Sequence, residues 1–188
     1  MSMPASRVDW TVDMLDALPD DGNRYEIIDG ELFVSPAPSH WHQLVVGALH
    51  ARLRAYLRPS NVARATLSPS DVRRGDWNRN RVQPDVFAVR LIDGKHPEYP
   101  FNMADLILSV EVESPSNSAY DYHTKRRLYL ANGVPEFWIV SSEARTLSRW
   151  RGPSEDGQLL TSRLEWQPIG MPEPLIIDIP EFFDDALG

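Results

Sequence analysis

Apolar residues recur with two periods along the chain, a helical one in a few segments and a two-residue one in many others. Between Ser39 and Pro59 the helical period forms one stripe: Trp41, Leu44, Val45, Ala48, Leu49, Leu53, Tyr56 and Leu57. Ser39 is a residue type that caps helices, and Pro59 cannot continue one. The pattern predicts a long helix here, and shorter helices over residues 11–18, 118–132 and 180–187.

Extended segments fill most of the remaining chain. The sequences RYEII (24–28) and ELFVS (31–35) flank Asp29-Gly30, a dipeptide that readily forms a tight hairpin turn. Further strands are predicted over residues 61–67, 82–89, 105–113, 136–140, 146–150, 159–166 and 174–179. This order of strands and helices predicts one α+β domain over residues 1–188, with a mixed β-sheet.

Composition narrows the classes of function. The chain has 188 residues, 42% of them hydrophobic and 24% charged, which is enough for a sizeable core. It has no cysteine, so disulfides, thiolate metal sites and cysteine nucleophiles are excluded. The net charge of −8 argues against a broadly basic surface, though a local basic patch beside a bound metal stays compatible with it. With no signal sequence or membrane-spanning run visible, we expect a cytoplasmic protein without membrane contact.

Three residues carry the candidate chemistry. Asp85 and Glu111 are acids within two predicted strands, and Lys125 lies on the helix that follows the second strand. A carboxylate inside apolar sequence costs free energy unless it is paired or binds a cation. Two carboxylates from neighbouring strands would hold Mg²⁺, which polarises phosphates and activates water, and Lys125 would stabilise the developing charge. The set indicates hydrolysis of phosphodiesters.

A purely structural interpretation of the same residues stays open. Glu111 and Glu113 would then line the solvated face of an edge strand. Lys125 would pair with Asp121, which lies four residues earlier on the same helix. Pro84 would mark only a strand edge or a bulge.

Several segments together resemble the Uma-type restriction endonucleases, a family of the PD-(D/E)xK nuclease superfamily. They are YEIIDGELFVSPAPS (25–39), VQPDVFAV (82–89), VEVESPSNS (110–118), DYHTK (121–125) and YLANGVPEFWIV (129–140). The resemblance covers most of the chain and implies a restriction-endonuclease-like core, with a central mixed β-sheet flanked by helices. It also implies a Mg²⁺-dependent endonuclease acting on DNA phosphodiester bonds, with Mn²⁺ as a substitute metal.

The resemblance assigns roles to individual residues. It implies Asp85 and Glu111 as metal ligands, and Val112 as a ligand through its backbone carbonyl. The lysine that the superfamily places two residues after the acid is Glu113 here, and Lys125 on the next helix is the matching position. Glu113 would add a further ligand or only negative charge.

Accessory residues are expected around this centre. Glu31 and His42 match recurring family positions, Glu31 as an outer metal ligand and His42 as a hydrogen-bond partner, although a structural role at the start of an apolar helix also fits His42. A loop before Asp85 carries four arginines that would clamp phosphates of a nucleic acid, a solvated loop being the alternative: Arg73, Arg74, Arg79 and Arg81.

Two function hypotheses follow. The first is a metal-dependent endonuclease acting on DNA, with RNA and single-stranded DNA as alternative substrates, and a homodimer because cutting both strands of a duplex takes two sites. The second is a catalytically silent nucleic-acid-binding or regulatory module, which the acidic charge and Glu113 favour. Metal binding that disappears in Asp85→Ala would discriminate them.

Overall fold

The computed structural model describes residues 8–75, 77–113, 119–152 and 156–188. The helices in these ranges are α1 (Val12–Asp16), α2 (His40–Leu57), α3 (Ala119–Ala131) and α4 (Ile179–Leu187). The strands are β1 (Arg24–Ile28), β2 (Glu31–Ser35), β3 (Ala63–Leu67), β4 (Val72–Arg74), β5 (Trp77–Val82), β6 (Val86–Arg90), β7 (Phe101–Asn102), β8 (Leu106–Val112), β9 (Glu136–Ser141), β10 (Thr146–Arg151), β11 (Gln158–Leu160), β12 (Arg163–Trp166) and β13 (Leu175–Asp178). No helix in these ranges is long and apolar enough to cross a lipid bilayer.

The larger sheet has six strands in the order β11-β10-β9-β8-β6-β3. Strands β8 and β9 run parallel, and the other neighbouring pairs are antiparallel. A parallel pair needs a crossover connection, which here contains α3. The predicted α+β class with a mixed sheet is therefore confirmed.

A smaller five-stranded sheet has the order β2-β1-β5-β4-β7. Its first hairpin has the predicted turn, because Asp29 and Gly30 both have positive φ angles, 50° and 80°. The positive φ of Gly30 is a conformation that residues with a Cβ rarely adopt, so the turn itself favours glycine there. The hairpin carries the YEIIDGELF segment into the smaller sheet.

The two faces of the larger sheet are buried by different partners. Helices α2 and α4 cover one face in an apolar cluster that includes Leu49, Leu53, Val86, Val110, Trp138 and Phe183. Helix α3 and the smaller sheet cover the other face, in a cluster that includes Ile28, Val82, Phe87, Leu128, Tyr129 and Phe137. Strand β8 is thus buried on both sides.

The arginine-rich segment before Asp85 is not a loop, as the sequence analysis expected, but mostly two strands. Strands β4 and β5 pair antiparallel, with Arg73 opposite Arg81. The predicted strand 82–89 is in turn divided, because β5 ends at Val82 and β6 begins at Val86. Pro84 between them has no N–H for a sheet ladder, which explains the break.

Two further expectations about side-chain direction are wrong in part. The two-residue period of the predicted strand 105–113 places Leu106 on one face together with Leu108, and Ile107 on the other. In the structure Leu106 instead belongs to the α3 side and Ile107 to the α2 side. The cause is a register shift in which Val89 pairs with Leu106 and Ala88 with Leu108, so that Ile107 is the extra residue. Trp41, counted in the apolar stripe of α2, is 58% exposed.

Helix α3 ends as predicted, with Gly133 at a φ of 83° just beyond it. The predicted helix start at Ser118 lies outside the described residues. The predicted strand 159–166 is two strands, β11 and β12, and β12 pairs with β13 in a separate two-stranded sheet.

Candidate active site

Asp85 is buried in the connection between β5 and β6, where main-chain and side-chain donors surround its carboxylate. Its Oδ1 accepts a hydrogen bond from the Arg24 guanidinium at 2.8 Å. Its Oδ2 accepts the N–H of Val112 at 2.8 Å and lies 3.1 Å from Nε2 of His42. The predicted acid, the predicted histidine and the β8 backbone therefore meet at one carboxylate.

Glu111 and Lys125, the other two predicted residues, also meet. The Lys125 ammonium donates to Oε2 of Glu111 at 3.1 Å, and both side chains are almost fully buried. Tyr129, one helical turn after Lys125, donates its hydroxyl to Oε1 of Glu111 at 3.3 Å. Helix α3 thus fixes both oxygens of Glu111.

Glu26 is a third buried carboxylate that the sequence analysis did not select. Its Oε2 lies 2.8 Å from the Lys125 ammonium and 3.7 Å from Nε of Arg24. Its Oε1 accepts the backbone N–H of Gln83 at 2.7 Å. An acid inside the apolar RYEII segment was an available signal, of the same kind that drew attention to Asp85.

The cluster shifts the pKa values of its members in opposite directions. Burial disfavours the charged form of Asp85, but the hydrogen bond from His42 and the charge of Arg24 outweigh it and hold the pKa below its usual range. Burial raises the pKa of Glu111 to about 8, with Lys125 opposing. Burial also disfavours the Lys125 ammonium, yet the carboxylates of Glu111 and Glu26 raise its pKa. Lys125 is therefore a fixed positive charge.

A cleft of about 470 Å³ opens beside Asp85. Arg24, His42, Gln83 and Asp85 line it, together with residues around α1 and the Ser35–Pro38 connection. Arg81 lines the same cleft. The cluster consequently borders the cleft at Asp85, which is 1% exposed, and at Arg24, which is 18% exposed. The cleft has the size of ligand pockets.

Within the described residues, no three His, Asp or Glu side chains are grouped as metal ligands. The donor types nevertheless fit Mg²⁺, which is commonly bound through one or two carboxylates and retained waters. Asp85, Glu111 and the Val112 carbonyl are hard oxygen donors, and that carbonyl accepts a long hydrogen bond, 3.4 Å, from the Tyr122 hydroxyl. The chemistry of the donor set therefore suits the metal, while both carboxylates are held by cations.

The remaining predicted acids lie apart from this centre. Glu31 pairs with Ile28 beside the hairpin turn, whereas Glu26, two residues before Ile28, is the hairpin acid that reaches Lys125. Glu113 is exposed just beyond β8, in a separate shallow hollow with His123, Arg126 and Trp150.

The four arginines of the predicted clamp have unequal surroundings. Arg79 pairs with Asp9 at 2.5 Å, and Arg81 pairs with Asp16 and, at 3.8 Å, with Asp71. Arg73 is half-buried, and its Nε has no hydrogen-bond partner among the described residues. Arg74 is exposed. Of the four, Arg81 is the one that lines the cleft beside Asp85.

Comparison with known proteins places this geometry in context. The model of the Uma2 family, described as "Putative restriction endonuclease", matches residues 12–182. The crystal structure of a "putative nuclease belonging to DUF820" from Anabaena variabilis has a TM-score of 0.78 to this chain, with 19% sequence identity. The match covers 95% of this chain and 99% of that chain, and establishes a shared fold. A search of curated proteins gives no match.

Proposed function

The chain belongs to the Uma2 family, and from that premise we propose that it is a Mg²⁺-dependent endonuclease that hydrolyses DNA phosphodiester bonds. One observation carries the proposal: three carboxylates and a lysine are buried together at the side of a cleft. Burying four ionisable groups costs folding free energy, and such groups are typical of functional sites.

In this proposal Asp85, Glu111 and the carbonyl of Val112 hold the metal. When bound, Mg²⁺ supplies the positive charge that polarises a phosphoryl oxygen and activates water. Asp85 lines the cleft itself, whereas Glu111 is fully buried behind it. His42 orients Asp85 through the hydrogen bond to Oδ2.

Lys125 supplies a second positive charge. Its ammonium lies between Glu26 and Glu111, 2.8 and 3.1 Å from their oxygens, so its position is fixed by two ion pairs. Because those carboxylates raise its pKa, Lys125 stays protonated at neutral pH and stabilises negative charge on the phosphate rather than accepting a proton. Lys125 thereby takes the role of the superfamily lysine. The usual position of that lysine, two residues after the acid, is occupied here by Glu113.

The second candidate is a silent nucleic-acid-binding or regulatory module on the same fold. It is favoured by the ion pairs that already occupy Asp85 and Glu111, and by the exposed position of Glu113. RNA and single-stranded DNA stay alternative substrates of an active enzyme. A homodimer fits the nuclease proposal, because cutting both strands of a duplex takes two sites.

The test is cleavage of supercoiled plasmid, single-stranded DNA and RNA by the purified chain, with Mg²⁺ or Mn²⁺ and with EDTA. We expect metal-dependent cutting that Asp85→Asn and Lys125→Met each reduce by at least about 100-fold, as loss of a transition-state charge contact does. Gel filtration on the same samples would report whether the chain is dimeric.

The matched control is Asp93→Asn, a carboxylate of the same type on an exposed turn. This variant should cut as wild type does. Cutting that survives Asp85→Asn would refute the assignment of the site. Well-folded wild-type protein that binds nucleic acid and cuts none of the three substrates would favour the silent module.

A further inference from the structure

Arg24 is a cleft residue in direct contact with Asp85. It lies at the start of β1, lines the cleft, and has a side chain 18% exposed. Its guanidinium donates to Oδ1 of Asp85 at 2.8 Å and to the carbonyl of Gln83 at 3.3 Å. Arg24 therefore stands between Asp85 and the open space of the cleft.

The partners of Asp85 differ in how easily they can leave. Val112 donates from the backbone of the central strand β8, so its N–H cannot withdraw without breaking the sheet. His42 lies on the first turn of α2, whose apolar face is packed on the larger sheet. Both act on Oδ2, whereas the described contact of Oδ1 is to the Arg24 side chain, which is 18% exposed at the cleft. Oδ1 is thus the oxygen open to exchange.

Resting on the proposed function, we propose that Arg24 is a positioning residue that exchanges partners. Without metal its guanidinium neutralises Asp85. When a divalent cation takes Oδ1, the guanidinium turns into the cleft and holds a phosphate of the substrate. A planar guanidinium matches two phosphate oxygens at once, and the cation replaces the charge that Asp85 loses.

Lys125 differs from Arg24 in the number of its close carboxylate partners. Its ammonium has two carboxylate partners and is 3% exposed, so loss of one partner still leaves it paired and buried. Arg24 has one close carboxylate, with Glu26 farther away at 3.7 Å. The arginine is consequently the cation of the cluster that competes with metal, and its removal should help metal binding.

The experiment measures Mn²⁺ binding to the full chain by the electron paramagnetic resonance signal of free Mn²⁺, in the absence of DNA. Arg24→Gln should bind Mn²⁺ about tenfold more tightly than wild type, since a competing charged hydrogen bond is gone. Its KM for a short oligonucleotide should rise about tenfold, because the phosphate contact is lost. Arg24→Lys keeps the positive charge but lacks the planar guanidinium, so its Mn²⁺ affinity should lie between those of wild type and Arg24→Gln.

Arg81→Gln is the matched control for metal affinity, because Arg81 lines the same cleft and pairs with Asp16 and Asp71 instead of Asp85. Arg81→Gln should bind Mn²⁺ as wild type does. An equal gain of Mn²⁺ affinity in Arg81→Gln and Arg24→Gln would mean a general effect of removing positive charge, and would overturn the proposed exchange of partners by Arg24. Unchanged or weaker Mn²⁺ binding in folded Arg24→Gln and Arg24→Lys would overturn it too. A tighter metal site with unchanged KM would refute the phosphate contact.

Failure of the proposed function has a different signature. If wild type binds Mn²⁺ and Asp85→Asn binds it equally well, the metal site lies elsewhere, and both proposals fall. If Asp85→Asn loses the metal while Arg24→Gln gains nothing, only the exchange falls. If neither wild type nor Arg24→Gln binds Mn²⁺, both proposals are wrong.

Discussion

Strand β8 has two faces that are equally buried and differ in what they do. Leu108, Val110 and Val112 point toward α2 and α4 and join an apolar cluster. Glu111, between two of them, points to the other side and meets Lys125 and Tyr129. One strand therefore contributes packing with alternate residues and chemistry with the residues between them.

The two faces have opposite free-energy balances. Close-packed apolar side chains stabilise the fold in proportion to the area they bury. The charged face gains little from burial, because desolvation of carboxylates and a lysine offsets their mutual attraction. Stability and proposed activity should thus be separable by substitutions on opposite faces of the larger sheet, Glu111 on one face and Trp138 of β9 on the other.

The largest effect is expected on the charged face. Glu111→Gln keeps the size of the side chain and removes the carboxylate that would hold metal, so cleavage should fall about 1000-fold or more, as expected for a catalytic charge in a dry site. Its free energy of unfolding in urea should change by less than about 1 kcal/mol, since Lys125 keeps its ion pair with Glu26 and no buried charge is left unpaired. A variant that loses stability and activity together would contradict the separation.

The next effect belongs to the apolar face. The Trp138 ring packs edge-on against Trp166, with centroids 5.6 Å apart, and its N–H donates to Glu136. Trp138→Ala should lower the free energy of unfolding by about 3–5 kcal/mol, the usual cost of emptying such a site. Cleavage per folded molecule, measured well below the melting temperature, should stay within about twofold because no catalytic contact is lost. A large activity loss in folded protein would show that the faces are coupled.

The sequence located part of this arrangement and missed the rest for identifiable reasons. Asp85 and Glu111 were visible because an acid within an apolar strand is a local signal. Arg24 meets Asp85 only through the pairing of β1 with β5, across 61 positions of sequence, and a single chain gives no strand register at that distance. The pairing of Glu26 with Lys125 was not predictable either, because it depends on how α3 packs against β1.

The errors in the fold prediction have a similar origin. The arginine-rich segment was expected to be a loop because charged residues are uncommon in strands. It forms β4 and β5 because Val72 and Val82 are buried in the α3-side cluster and the strands pair with β7 and β1, contacts that lie far apart in the sequence. The reversed directions of Leu106 and Ile107 follow from a bulge, which hydrophobic alternation does not encode. The hairpin at Asp29-Gly30 was predictable because its turn is determined locally.

The pH dependence of stability and of Mn²⁺ affinity should distinguish the two faces by a smaller effect. Burial raises the pKa of Glu111 to about 8 from an ordinary 4.5, so the folded chain holds a proton that the unfolded chain releases between those values. The free energy of unfolding should therefore decline as pH rises through this window, and the decline should be smaller in Glu111→Gln. Mn²⁺ affinity should rise with pH up to about 8, by at most about tenfold per unit, because the metal competes with that proton. A pH-independent Mn²⁺ affinity between 6 and 8 would contradict the raised pKa of Glu111.

The smallest effect concerns α2, which contributes residues both to the charged cluster and to the apolar cluster. Ser39 caps the helix by accepting the N–H of His42 at 3.2 Å, and the helix then carries His42 to Asp85 and Leu49 to the apolar cluster. Ser39→Ala should lower the free energy of unfolding by about 1 kcal/mol, and Ser39→Asp should restore it because aspartate accepts the same bond. Urea denaturation of the three proteins provides the measurement. An unchanged free energy of unfolding in Ser39→Ala would mean that the hydroxyl is not a stabilising contact, and that α2 is held in place by its packing alone.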